Sequence, residues 1–175
     1  MLSRSSHADG HLLKHVVAGA TAGLAGAWAM DCFQNVLSKA TAGSNGGGGQ
    51  QGQRQQEDEP ATVKAADAIA VATTEHPLPK DERAIGGAAV HYAFGGAVGA
   101  IYGAAASRTD DVSALAGLPF GATVWLVADE MGVPLSGLSK GPAEYPLSIH
   151  VNALAAHLVY GVTTEVVRRV VLKLI

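Results

Sequence analysis

The chain has 175 residues, enough for one domain, and 48% of them are hydrophobic. Charged residues make up only 15%, against about 25% in an ordinary soluble domain, and the net charge of −3 with no basic stripe excludes a nucleic-acid binder. Cys32 is the single cysteine, which excludes an intramolecular disulfide and a cysteine-based zinc site.

In chain order, the first apolar run is His15 to Met30, and it continues as a polar-faced helix through Asp31 to Ser38. It ends in Ala27-Trp28-Ala29, a pattern that a cleaved leader also shows. Gly19 and Gly23, with Gly26, form a packing stripe that speaks for a retained helix. His7, His11 and His15 precede it at intervals of four, with Gly10 among them, and read as a frayed, solvated lead-in. Asp31 reads as a boundary residue.

Thr41 to Pro60 holds four consecutive glycines, a glutamine-rich run and an acidic cluster. It cannot bury enough apolar area to fold, so a disordered Gly/Gln-rich linker is expected. Ala61 to Thr74 has Val63, Ala66, Ile69 and Ala70 at helical spacing, the mark of a short surface helix.

Ala84 to Ala106 contains no Lys, Arg, Asp or Glu and is long enough to cross a bilayer. Within it Gly87, His91, Gly95, Gly99 and Gly103 recur every four residues. In lipid no hydrophobic force drives helices together, so such a stripe brings backbones into close van der Waals contact. A third, shorter span runs from Val112 to Ala128 through Pro119 and ends in Asp129-Glu130. Adjacent residues on an α-helix point about 100° apart, so only one of these carboxylates is expected to face the interior. A Pro- and Gly-rich loop, Glu130 to Pro146, follows.

The last span, Leu147 to Val167, carries His150 and His157 on one helix face with Gly161 and Glu165. Ionisable groups inside an apolar helix cost free energy and mark a functional site by default. His91, Asp129, Glu130, His150, His157 and Glu165 are therefore the candidate interior, pH-sensing cluster, with His157 and Glu165 as its central pair. The plainer alternatives are a packed helix whose His91 bonds a carbonyl, and a solvated helix end at Asp129-Glu130. Glu165 can also simply pair with Arg168. Arg168 and Arg169 read as membrane anchors, and Trp28, Trp125, Tyr145 and Tyr160 as interface residues. No metal or cofactor site is expected: His150 and His157 are seven residues apart, about 10 Å along a helix. No phosphate-binding loop or nucleophilic serine motif occurs.

The sequence from Ala156 to Arg169 resembles the last helix of the YagU-type inner-membrane proteins, through His157, Tyr160, Glu165, Arg168 and Arg169. Pro134 to Leu138 and the span around His91 are also similar, so the resemblance covers Gly86 to Arg169. It implies a protein of uncharacterised biochemistry associated with acid resistance.

The fold expected is all-α: an integral membrane bundle of about four transmembrane helices with a disordered linker. Its parts are a first helix (1–40), the linker (41–60), a surface helix and loop (61–82) and a three-helix core (83–175). Six Lys and Arg near span ends on the side of the termini against four on the other place both termini in the bacterial cytoplasm. The function expected is non-enzymatic: a multi-pass inner-membrane protein contributing to acid tolerance through its histidine–carboxylate interior. The alternatives are a structural or assembly partner of a larger membrane complex, and a small channel or transporter subunit. The partners expected are the lipid bilayer and a second copy or a membrane complex, with no nucleic acid.

Overall fold

The computed structural model describes residues 2–44 and 59–175, and among them every regular element is a helix. Helix α1 (Leu2–Ser44) is followed by α2 (Ala61–Thr74) and α3 (Arg83–Ala106). A 3-10 segment, Asp110–Gly117, then leads into α4. Helix α4 is built of an α-helical part (Leu118–Val124), a π-helical part (Trp125–Gly132) and a last turn (Val133–Leu135). A 3-10 turn, Pro142–Glu144, precedes α5 (Leu147–Leu174).

Helix α1 lies against both α3 and α5, α4 lies against α5, and α2 lies on α3. Each of these pairs is antiparallel: Gly19 meets Gly103 and Gly23 meets Gly95, while Gly117 meets Gly161 and Gly121 meets His157. The start of α1 therefore stands beside the end of α5, where Lys14 Nζ donates to the Ile175 carbonyl.

The packing is inverted relative to a water-soluble bundle. Its buried hydrophobic side chains are chiefly small, including Ala18, Ala22, Ala27 and Ala156, together with Met30, Tyr102 and Tyr160. The large apolar side chains Leu24, Trp28, Ile85, Phe94, Ile101, Leu126 and Val127 are exposed. Lipid tails are as apolar as leucine, so burying leucine gains little in a bilayer, whereas backbone contact through glycine gains dispersion energy. At Gly19, Gly23, Gly99 and Gly103 an added Cβ would run into the facing backbone. Three helices are long and apolar enough to cross a membrane: Gly10–Thr41, Arg83–Ala106 and Asp111–Leu135. Helix α5, at 28 residues, is long enough, but His150, Asn152 and His157 make it the least apolar of the four expected spans, and it does not join the three.

Several boundaries differ from expectation. The lead-in is helical from Leu2, because helix α1 continues N-terminally past Gly10, and His11 packs on His15 with ring centroids 4.5 Å apart and planes tilted by 38°; the side chain of His7 lies outside the described residues. Helix α1 also runs through 41–44 of the expected linker, and Glu59 at its far end is held by Arg83 at 2.9 Å; the rest of that linker, 45–58, lies outside the described residues. The third span is broken where Leu115, Ala116 and Gly117 take left-handed φ values of 50°, 53° and 84°. This kink turns the chain so that Gly117 sits on Gly161, and α4 starts again at Leu118 with Pro119 in its first turn. The helix then outruns its expected end at Ala128 and closes after Leu135. Gly137 there takes φ 72° and the N–H of Leu138 bonds the Val133 carbonyl at 3.1 Å, a glycine C-cap.

Helix α2 is strapped to α3 by Asp67, which accepts the Leu78 N–H at 2.8 Å and pairs with Arg83 at 2.8 Å. The backbone hydrogen bond foremost, then Arg83, hold the Asp67 carboxyl below its usual pKa. A carboxylate depressed on folding stabilises its surroundings above its unfolded pKa and loses that contribution as pH falls through the folded value. Exchange protection of the Leu78 amide, corrected for intrinsic rate, is therefore expected to be constant near neutrality and to fall below about pH 4. In Asp67→Asn it is expected to be low already at pH 7 and flat with pH. Unchanged protection in that variant would mean the strap is idle.

Candidate functional site

At the end of the bundle away from the termini, three histidines each meet a carboxylate from a neighbouring helix. His150 of α5 lies against Glu130 of α4, Nδ1 to Oε1 2.6 Å, and its Nε2 is 3.0 Å from the Pro142 carbonyl. The ring therefore has an oxygen of another segment at each of its two nitrogens. His157 Nδ1 bonds its own helix at the Ala153 carbonyl, 2.9 Å, and stands 3.7 Å from Asp129 of α4. His91 Nε2 of α3 is 3.2 Å from Asp31 of α1, at an angle too poor for a hydrogen bond, and the Tyr92 hydroxyl donates to the same carboxylate at 2.9 Å. Asp31 thus ties α1 to α3 and is more than a boundary residue.

Both Asp129 and Glu130 turn toward α5, against the expectation that only one would. The reason is the π-helix. Pro134 has no N–H to send to the Glu130 carbonyl, as an α-helix would require, and the widened turn changes the angle between neighbouring side chains. Single π turns inside α-helices are frequent at functional sites.

Glu165 does not belong to this group. It lies on α5 eight residues from His157, about 12 Å along the axis, so the expected central pair is corrected. Its carboxylate is fully buried and accepts from the Tyr102 hydroxyl at 2.9 Å and from Arg168 at 2.8 and 2.9 Å, with Arg169 bound as well. Arg168 is only 6% exposed and lies over the Tyr102 ring, so it is a buried counter-ion and not an anchor; Arg169 remains exposed. The physical reason is that a carboxylate in this interior needs compensation, and the nearest cation is one turn away on the same helix. Tyr102 stacks on Phe120 at 4.0 Å and was not singled out from the sequence, where it stands as an unremarkable aromatic in the glycine stripe. Tyr160 is buried with its hydroxyl on the Gly95 carbonyl at 2.7 Å, deeper than an interface residue.

The packing glycines fall where contacts are tightest. Gly19 and Gly23 face Gly95, Gly99 and Gly103; Gly87 takes Val63 of α2; and Gly161 takes Gly117 and Gly121.

A cavity of about 220 Å³ opens beside the histidine–carboxylate pairs. Asp129, Glu130, His150, Lys140 and Tyr145 supply its polar wall, and Val133, Pro134, Pro142 and Ile149 much of the rest. His150 pins the loop to α5 through Pro142, while Glu144 turns back onto the Gly141 N–H at 3.0 Å. The loop thereby forms the cavity roof. Among the described residues no three His, Cys, Asp or Glu side chains stand close enough to hold a metal ion.

Apolar helices of spanning length, large side chains outside and ion pairs inside define a helical protein with the character of a membrane bundle. The profile of a family described as a protein of unknown function, DUF1440, matches residues 54–166. That stretch is more than half of the chain, and the chain belongs to this family. No curated protein and no solved structure matches it.

Proposed function

We propose that the protein is a non-enzymatic, multi-pass protein of the bacterial inner membrane, of the YagU type, that contributes to acid tolerance by changing shape as its histidine–carboxylate pairs titrate. The observation that carries this reading is His150 held between Glu130 and the Pro142 carbonyl, because that one ring joins α4, α5 and the loop. Carboxylates in model peptides titrate near about pH 4 and histidine near about 6.5. On acidification the pairs take up protons, and the net charge held among His91, His150 and His157 and their carboxylate neighbours becomes more positive. Attraction across the helix interfaces gives way to like positive charge in a medium of low polarity, and the end of the bundle loosens. The six Lys and Arg near span ends on the side of the termini, against four on the other, support placing the termini in the cytoplasm.

The test follows the emission of Trp125, one turn before Asp129, in a Trp28→Phe background between pH 7.5 and 4.5. The parent is expected to shift reversibly. Glu130→Gln is expected to show the acid-like emission already at pH 7.5, and His150→Gln to lose most of the shift. A parent that does not respond, or a His150→Gln variant that responds in full, would overturn the mechanism. A deletion strain that survives acid as well as its parent would overturn the physiological role.

A further inference from the structure

The π-helical part of α4 is an irregularity held in place from outside. Trp125–Gly132 runs for eight residues, longer than the single turn usual for this rare geometry. The Val133 N–H bonds the Ala128 carbonyl five residues back, and a Cβ on Gly132 would stand 3.0 Å from the Val127 carbonyl, also five back. Pro134 follows, and in an α-helix its ring would clash with the carbonyl four residues back, that of Glu130. No residue of the segment is buried. The Trp125 Nε1 is shielded from solvent without a hydrogen-bond partner among the described residues, which costs free energy. Packing therefore does little to select this winding. Upstream, α4 is fixed, because Gly121 lies against the His157 backbone. Further along, two side-chain pairs tie it to α5: Glu130 with His150 at 2.6 Å, and Asp129 beside His157 at 3.7 Å.

We infer that this segment is a register switch: beyond Gly121, α4 has a second, wholly α-helical winding, and Pro134 together with the two side-chain pairs holds it in the π winding. Rewinding from bonds five residues apart to bonds four apart turns the helix end by about 100° and moves it about 1.5 Å for each residue taken up. Asp129 and Glu130 then point about 100° apart, as neighbours on an α-helix do, and no longer both face α5. At a helix radius of about 5–6 Å, the same turn displaces a side chain at the end of α4 by about 8 Å. Leu135, 83% exposed, is such a side chain. The loop that follows, which His150 holds through the Pro142 carbonyl, is carried with it. With no buried side chain to repack in the segment, a modest difference in what the pairs contribute to the two windings is enough to choose between them. The switch supplies the element that moves in the proposed function and rests on that reading for its purpose; the two windings themselves are compared at one pH, without titration.

The test is a spin-label distance measurement on the full chain in detergent at pH 7.5, in a Cys32→Ser background. Nitroxides on Leu135→Cys and Ile85→Cys report the end of α4, and nitroxides on Leu118→Cys and Ile101→Cys report its fixed start; all four positions are exposed. The parent is expected to show one main distance for the first pair of labels. Pro134→Ala removes the ring clash, and Asp129→Ala with Glu130→Ala removes both side-chain pairs. Each is expected to move population to one and the same second distance, while the Leu118–Ile101 distance stays as in the parent. No shift in either variant, a shift in one alone, or broadened distances with no shared second value would each overturn the switch. A change in the Leu118–Ile101 distance would overturn it too, since the whole helix would then have moved. A parent whose Trp125 emission ignores acid, with the shared second distance still present, would sink the proposed function and leave the switch standing.

Discussion

Replacing Glu165 with alanine is expected to cost about 3–5 kcal/mol of stability, the range for breaking a buried ion pair by removing one partner. The carboxylate is fully buried and satisfies Arg168, Arg169 and the Tyr102 hydroxyl. Without it Arg168 keeps its charge inside the bundle with no counter-ion, and Tyr102 keeps a buried hydroxyl with no acceptor. Arg169 loses little, because it is exposed to solvent or headgroups. Loss of a charge pair as a whole is a different matter: Glu165→Leu with Arg168→Met is expected to recover most of the stability, since apolar groups of similar volume often replace a buried pair at no net cost. The midpoint of thermal unfolding in detergent measures both. A Glu165→Ala protein as stable as its parent would show that water reaches this cluster and compensates Arg168.

The second large effect is expected at Gly23. A Cβ there would collide with the Gly95 carbonyl, a backbone atom that cannot rotate away. Gly23→Val must therefore push α1 and α3 apart along the line of Gly19, Gly99 and Gly103, at a cost near 3 kcal/mol, the upper end for overpacking. Gly10→Ala is the matched control. Nothing lies within 4 Å of its Cβ position, so it is expected to be neutral or to stabilise by up to about 1 kcal/mol through helix propensity. Cross-linking between cysteines placed on α1 and α3 separates the outcomes: Gly23→Val should abolish it and Gly10→Ala should leave it unchanged. If both variants cross-link as the parent does, the glycine stripe does not set the approach of these helices.

The elements were legible because their signals are local. The helix Ala61–Thr74 follows from four apolar positions at helical spacing, and the long helix from Arg83 follows from an uninterrupted run without formal charge. The glycine stripes foretold close approach, since only glycine fits where backbones touch. The start of α4 was less legible: the left-handed turn at Leu115–Ala116–Gly117 uses two residues that do not announce such a turn, and contact between Gly117 and Gly161 holds it. The site was legible as a list of ionisable residues but not as pairs. One register on α5 puts His150, His157, Glu165 and Arg168 on one face, and spacing alone cannot say which of them meets another helix. Asp31 and Tyr102 carried no signal that set them apart from a boundary carboxylate and a packing aromatic.

By itself, then, the sequence determined the helical class, three apolar spans, the glycine contacts and the titratable residues of the interior, because each follows from composition and period along one chain segment. Tertiary structure alone decided the partners. It gave Glu165 to Arg168 and Tyr102, His150 to Glu130 and the loop, and His91 to Asp31, and through the π turn before Pro134 it aimed two adjacent carboxylates at the same helix. Those choices depend on the depth and angle at which helices cross, quantities set by the sum of all their contacts and written in no single stretch of residues.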